Sequence, residues 1–152
     1  MKVLFNTYPM AFHTPGGGEV QLMQYKKYLP KESINVELLD SWDPRFFDFN
    51  LVHFFSCMSG SLHFCAFIKS IGLPLLVSPN LWITEENKGR YPIDEIRSQF
   101  ILADRVICNS NMECELLAKV FNIPREHFST VYNGVNESFF ESFFEYNDKI
   151  DM

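Results

Sequence analysis

Three consecutive glycines stand before an acid in the segment His13-Thr14-Pro15-Gly16-Gly17-Gly18-Glu19. Glycine lets a backbone approach a ligand closely, and the first amides of a helix have no partner within it. A strand, a glycine turn and a helix in that order can hold an anion such as a phosphate. The plainer reading is a flexible turn. The segment matches neither common phosphate motif: a dinucleotide fingerprint would need glycine at or near Gln21, and no Gly-Lys-Ser/Thr follows as in a Walker loop.

Other polar residues sit just past apolar runs: His13, Ser56, Ser78-Pro79-Asn80, Asn109-Ser110 and Asn133. If those runs are parallel strands, these residues share one edge of a sheet, which is where such folds hold ligands. A polar residue after a strand is also common without any function, and Ser110 alone is explained as a helix cap. His53 lies inside an apolar run and reads as a core histidine, while His63 and His127 have no evident partner. Glu85-Glu86 and Asp94-Glu95 read as solvated acids or helix starts rather than an acid/base couple. Lys88-Gly89-Arg90 reads as a solvated basic loop, with contact to an acceptor phosphate as the sharper alternative. There is no Gly-x-Ser-x-Gly turn, and no residue is assigned a catalytic role.

These positions depend on the elements that carry them. Short apolar runs predict strands at 2–7, 35–39, 51–55, 73–77, 105–108 and 128–132. Helical spacing predicts helices at 19–29, with Leu22, Tyr25 and Leu29 on one face, and at 58–71, closed by Gly72. Residues 93–103 predict a third helix. A fourth follows Ser110, whose hydroxyl caps the third helical amide while Glu113 reaches back. Strands alternating with helices, and apolar throughout, predict a doubly wound parallel α/β sheet of the Rossmann-like kind. The expected strand order is 3-2-1-4-5-6.

Composition bounds the rest. The 152 residues, 47% hydrophobic, suit one domain with its own core, and most of the 16 Phe are expected inside it. A formal charge of −6 leaves no broad basic surface for nucleic acid. A local basic face would still allow peripheral contact with the inner face of a membrane. Cys57, Cys65, Cys108 and Cys114 have neither C-x-x-C nor zinc spacing, so they read as reduced, buried thiols of a cytoplasmic protein without a metal site. The amino terminus lacks a signal-peptide pattern, and no run reaches the roughly 18 apolar residues that span a bilayer.

Two stretches resemble a known family. Ala103-Asp104-Arg105-Val106-Ile107-Cys108-Asn109-Ser110, then a helix with Leu116-Leu117, then Ile123-Pro124 and Val131-Tyr132-Asn133-Gly134-Val135-Asn136 form one stretch. It resembles the end of the first domain of family 4 glycosyltransferases, whose pattern is Ala-Asp-x-Val-Ile-x-x-Ser, a helix and Pro-Asn-Gly-Val-Asp. Gly16-Gly17-Gly18-Glu19 is similar to that family's Gly-Gly-x-Glu loop, and Asn50-Leu51-Val52-His53 to its Asp-x-Val-His strand. Order and spacing agree over nearly the whole chain, from residue 2 to 140.

The resemblance implies one half of a GT-B architecture, in which two Rossmann-like domains face each other across a cleft. The first domain binds the sugar acceptor, and the second binds most of a nucleotide-sugar. The sugar is transferred with retention of anomeric configuration, without a cofactor or an obligatory metal. Gly16, Gly17, Gly18 and Glu19 would form the donor-phosphate loop. His13, Asn80, Asn109, Ser110 and Asn133 would line the substrate cleft. Asn80 stands where the family usually has a His that contacts the transferred sugar, and Tyr132 where it prefers Pro.

Residues 1–136 are read as this acceptor-side domain, and 137–152 as a tail or a truncated interdomain linker. Without the second domain's motifs, a separate donor-binding domain or subunit is the expected partner. In the tail, Glu137, Glu141 and Glu145 recur at four-residue spacing between the pairs Phe139-Phe140 and Phe143-Phe144. That amphipathic pattern predicts docking on the domain or self-association. The alternative reading of the whole chain is a non-catalytic Rossmann-like domain that binds a phosphorylated ligand or a protein.

Overall fold

Short apolar runs become strands because both faces of the sheet are covered. A computed structural model describes residues 1–58 and 60–135. The Phe-rich segment and its expected docking lie outside the described residues. In chain order the elements are β1 (Lys2–Asn6), α1 (Gly17–Tyr28), β2 (Asn35–Leu38), β3 (Leu51–Phe54), α2 (Ser61–Ser70), β4 (Leu75–Val77), α3 (Ile93–Leu102), β5 (Arg105–Cys108), α4 (Asn111–Phe121) and β6 (Phe128–Thr130). All strand pairs are parallel, in one six-stranded sheet.

Alternation along the central strands divides the core. Val3 and Phe5 of β1 join Leu22 of α1 and Phe55 in one buried cluster, with Tyr25 and Leu29 packed against it. Leu4, Val52 and Phe54 join the larger cluster of Ile68, Ile96 and Phe100 from α2 and α3. Period-two alternation sends neighbours to opposite faces, so the sheet is sandwiched between helices. Most of the described Phe are core, Phe5, Phe54, Phe100 and Phe121 almost fully buried among them, while Phe12 and Phe47 are exposed.

The strand order is 2-1-3-4-5-6, not the expected 3-2-1-4-5-6. Only β2 lies outside β1; the chain then crosses β1 to place β3 on its other side, in register Val3↔Leu51. The reason lies in the link 39–50. Phe49 is buried in the larger cluster, and Phe46 packs edge-on against Phe67 at 5.2 Å between ring centres. These rings fasten the link across the face opposite α1, so the crossover returns past β1 instead of extending beyond β2. The change of direction falls between β1 and β3, and folds of this kind open their ligand crevice at such a point.

Candidate functional site

The carboxyl ends of β1, β4, β5 and β6 converge. From β1 the chain runs through a short 3-10 turn, Ala11–His13, into the glycines that begin α1. Ala11 is fully buried and fastens this loop, and the Thr7 hydroxyl donates to the Phe55 carbonyl at 2.6 Å. Gly16 and Gly17 are exposed and Gly18 is half-buried. The Glu19 carboxylate folds back to accept the Gly16 amide at 2.6 Å. The amides of Gly17 and Gly18, in the first turn, have no acceptor within the helix.

The third glycine is needed for contact. A Cβ on Gly18 would lie 3.0 Å from Asn80 Nδ2, whereas one on Gly17 would meet nothing within 4 Å among the described residues. Asn80 itself sits in the left-handed region with φ 50°, which Asn tolerates better than most residues. Its Oδ1 accepts from Asn109 Nδ2 at 3.4 Å.

The centre of the arrangement is Gln21, which is not among the residues expected at the site from sequence. It is buried, and its Nε2 donates to Asn109 Oδ1 at 2.6 Å and to Asn133 Oδ1 at 2.8 Å. The Tyr25 hydroxyl lies 3.4 Å from the same Nε2, so three acceptors share its two hydrogens. One side chain of α1 thus holds the ends of β5 and β6. A Gln four residues before Tyr25, on the apolar side of a helix, was the available signal. Gln21 Oε1 and Asn80 Nδ2 are buried without a hydrogen-bond partner among the described residues. The cluster carries amides with both donors and acceptors and no Lys or Arg.

The other expected residues divide. Ser110 accepts from Glu113 N at 3.1 Å as a helix cap. Glu113, however, does not return to Ser110; its Oε2 accepts from Asn109 N at 2.6 Å and so fixes the base of the cluster. Burial raises the Glu113 pKa, opposed by that hydrogen bond. His13 is exposed, and among the described residues no side-chain hydrogen bond joins it to the amides. Ser56 accepts from Met58 N at 3.0 Å, and Ser78 pairs with His53 Nε2 at 2.8 Å, so both are used by the fold. Burial lowers the His53 pKa to about 3, which keeps the ring neutral at ordinary pH. Lys88 pairs with Glu85 at 2.6 Å, with both side chains nearly half exposed.

The four cysteines are buried and unpaired, and burial pushes Cys57 and Cys65 up to about 12. Among the described residues no three of His, Cys, Asp and Glu converge as a metal would require, and no helix is long and apolar enough to cross a membrane.

Comparisons with known proteins bear on the family and the fold. The sequence model of Glycosyltransferase Family 4 matches residues 38–139. No curated protein matches the chain significantly. Among solved structures, the chain is similar to Anabaena Alr3699/HepE in complex with UDP, with a TM-score of 0.63 and 18% identity over 90% of this chain. The HepE complex with UDP and glucose gives 0.59 and 17% over 89%, and the complex with UDP-glucose 0.58 and 18% over 90%. This chain spans about half of HepE: the three alignments cover 45%, 45% and 44% of that chain.

Proposed function

This chain belongs to glycosyltransferase family 4, and from that premise we propose that it is the acceptor-side domain of a retaining, metal-independent glycosyltransferase. It works opposite a donor-binding domain, on the same longer protein or a separate one. The acceptor lies over the ends of β4, β5 and β6. The diphosphate of a nucleotide-sugar reaches the start of α1. There, negative charge grows on the leaving diphosphate as the sugar departs. The amides of Gly17 and Gly18 and the positive end of the helix stabilise that charge.

One observation carries this reading: Gly18 packs directly on Asn80, which joins Asn109, Gln21 and Asn133. The anion-facing backbone and a set of neutral amides therefore form one unit. Neutral amides that both donate and accept suit sugar hydroxyls. Glu19 already occupies the Gly16 amide, so the ligand-facing donors narrow to Gly17 and Gly18.

The test is an NMR titration of the chain with UDP and with UDP-glucose, the ligands of the HepE complexes. The amides of Gly17 and Gly18 should shift, and UDP-glucose should also move the side-chain amides of Asn80 and Asn109. In Gly17→Val the response should vanish while the fold persists, because a side chain there blocks close approach. Equal response in parent and variant, or shifts confined to the opposite sheet edge, would refute the assignment.

A further inference from the structure

The outward face of α1 is apolar where a solvent-facing helix should be polar. Val20 is 57% exposed and Met23 43%, with Phe12 of the preceding loop at 48%. Two concavities meet there. One, of about 670 Å³, runs between Tyr25, Tyr28 and Leu29 on one side and Gly134 and Val135 on the other. The second, of about 210 Å³, lies beside Phe12 and Met23, and the two share Val20 and Gln24. Together they make a trough along the helix. It is separate from the amide cluster, and its reading does not depend on sugar transfer.

What covers the trough is suggested by where the described chain ends. Val135, a wall of the trough, is directly followed by residues 136–152. That segment carries Phe139, Phe140, Phe143 and Phe144, with Glu137, Glu141 and Glu145 at four-residue intervals. In a helix those acids fall on one stripe and leave the Phe pairs on the other side. Lengths agree: α1 runs about 18 Å, and a helix of ten residues about 15 Å.

The segment carries Glu137, Glu141, Glu145, Asp148 and Asp151 against Lys149 alone. The trough's own lining is mixed in charge, with Lys31 beside Glu32 and Glu19; Lys31 and Lys27, the latter outside the lining, are held over the Tyr28 ring at 4.9 and 5.1 Å.

We propose that residues 137–146 of the same chain occupy this trough, laying their Phe pairs along Val20, Met23 and Leu29. The docked segment would hold Gly134 and Val135 in place, and through them Asn133 against Gln21.

Hydrogen exchange read by mass spectrometry on the full chain tests this, with light scattering on the same samples. Amides of 137–146 should exchange at least about tenfold more slowly than in a free peptide. Val20→Asp, at an exposed site that folding does not need, should return them to peptide rates and leave the sheet unchanged. Phe140→Asp with Phe143→Asp should do the same from the other side, without touching the domain. The chain should remain monomeric. Peptide-like rates in the parent, or protection indifferent to both variants, would overturn the proposal. So would a dimer whose dilution removes the protection, which would give the trough to a second copy.

Discussion

Helices α1 and α4 start at the same edge of the sheet, and each turns a glutamate back onto the preceding chain. Glu19 takes the Gly16 amide and Glu113 the Asn109 amide, both at 2.6 Å. Beyond that they differ. The start of α4 is closed from within. Ser110 caps it, and Asn111 accepts from the Thr130 hydroxyl at 2.6 Å and donates to Tyr132 at 3.3 Å. The start of α1 has three glycines and no capping side chain. A polar cap satisfies a helix with its own atoms, whereas glycine leaves the amides for an outside partner. The same local device makes a joint in one place and an opening in the other, and Gln21 couples the two.

Removing the coupling should have the largest effect. Gln21→Leu keeps the volume but leaves the Asn109 and Asn133 acceptors without their donor. Asn109 is half-buried and Asn133 exposed, so water recovers part of the lost bonding and stability should fall by about 1–2 kcal/mol in urea denaturation. A loss below about 0.5 kcal/mol would mean that the two helix starts are independent. Ser110→Ala comes next: the closed start should lose about 1 kcal/mol. Nucleotide shifts at Gly17 and Gly18 should persist in that variant, and their loss would deny the division of roles.

The glycines give a smaller and two-sided effect. Gly17→Ala meets open space and gains helix propensity, so it should stabilise by about 0.5–1 kcal/mol. Gly18→Ala presses on Asn80 at 3.0 Å and should forfeit that gain. It should also move the Asn109 side-chain resonance, because Asn109 bonds to Asn80. Equal stabilisation by both would show that Gly18 is not in contact with the cluster.

This contrast explains how far the sequence could be read. Periodicity and burial placed the strands and helices, and the glycine segment, Asn80, Asn109 and Asn133 followed from their position past strands. Strand neighbours are another matter, because an apolar run states that it is buried and not beside what. The clue to the true order lay in Phe46 and Phe49, two rings in a link that needed none unless it crossed the sheet. Gln21 was hidden because a single Gln in a helix usually faces water. Its value comes from side chains 88 and 112 residues away. The Ser110 cap was legible locally, while the turn of Glu113 to Asn109 depended on how β5 enters the helix.

The smallest predicted effect concerns the carboxylate beneath the joint. Glu113 is buried, which raises its pKa above 4.5 despite the Asn109 amide that favours the charged form. Between 4.5 and that raised value the folded chain holds more protons at this site than the unfolded chain. Stability from Glu113 is therefore greatest at the acid end and is lost as pH rises through the window. Glu113→Gln keeps an acceptor for the Asn109 amide and removes the charge. Relative to the parent, the variant should gain stability as pH rises from 4 towards 7, then level off. Urea midpoints of the two proteins at matched pH give the difference directly, and subtract every other titrating group they share. A flat difference, or one that falls with pH, would mean that the negative charge itself helps to hold the closed start. The contrast with the opening at α1 would then rest on charge as well as on capping.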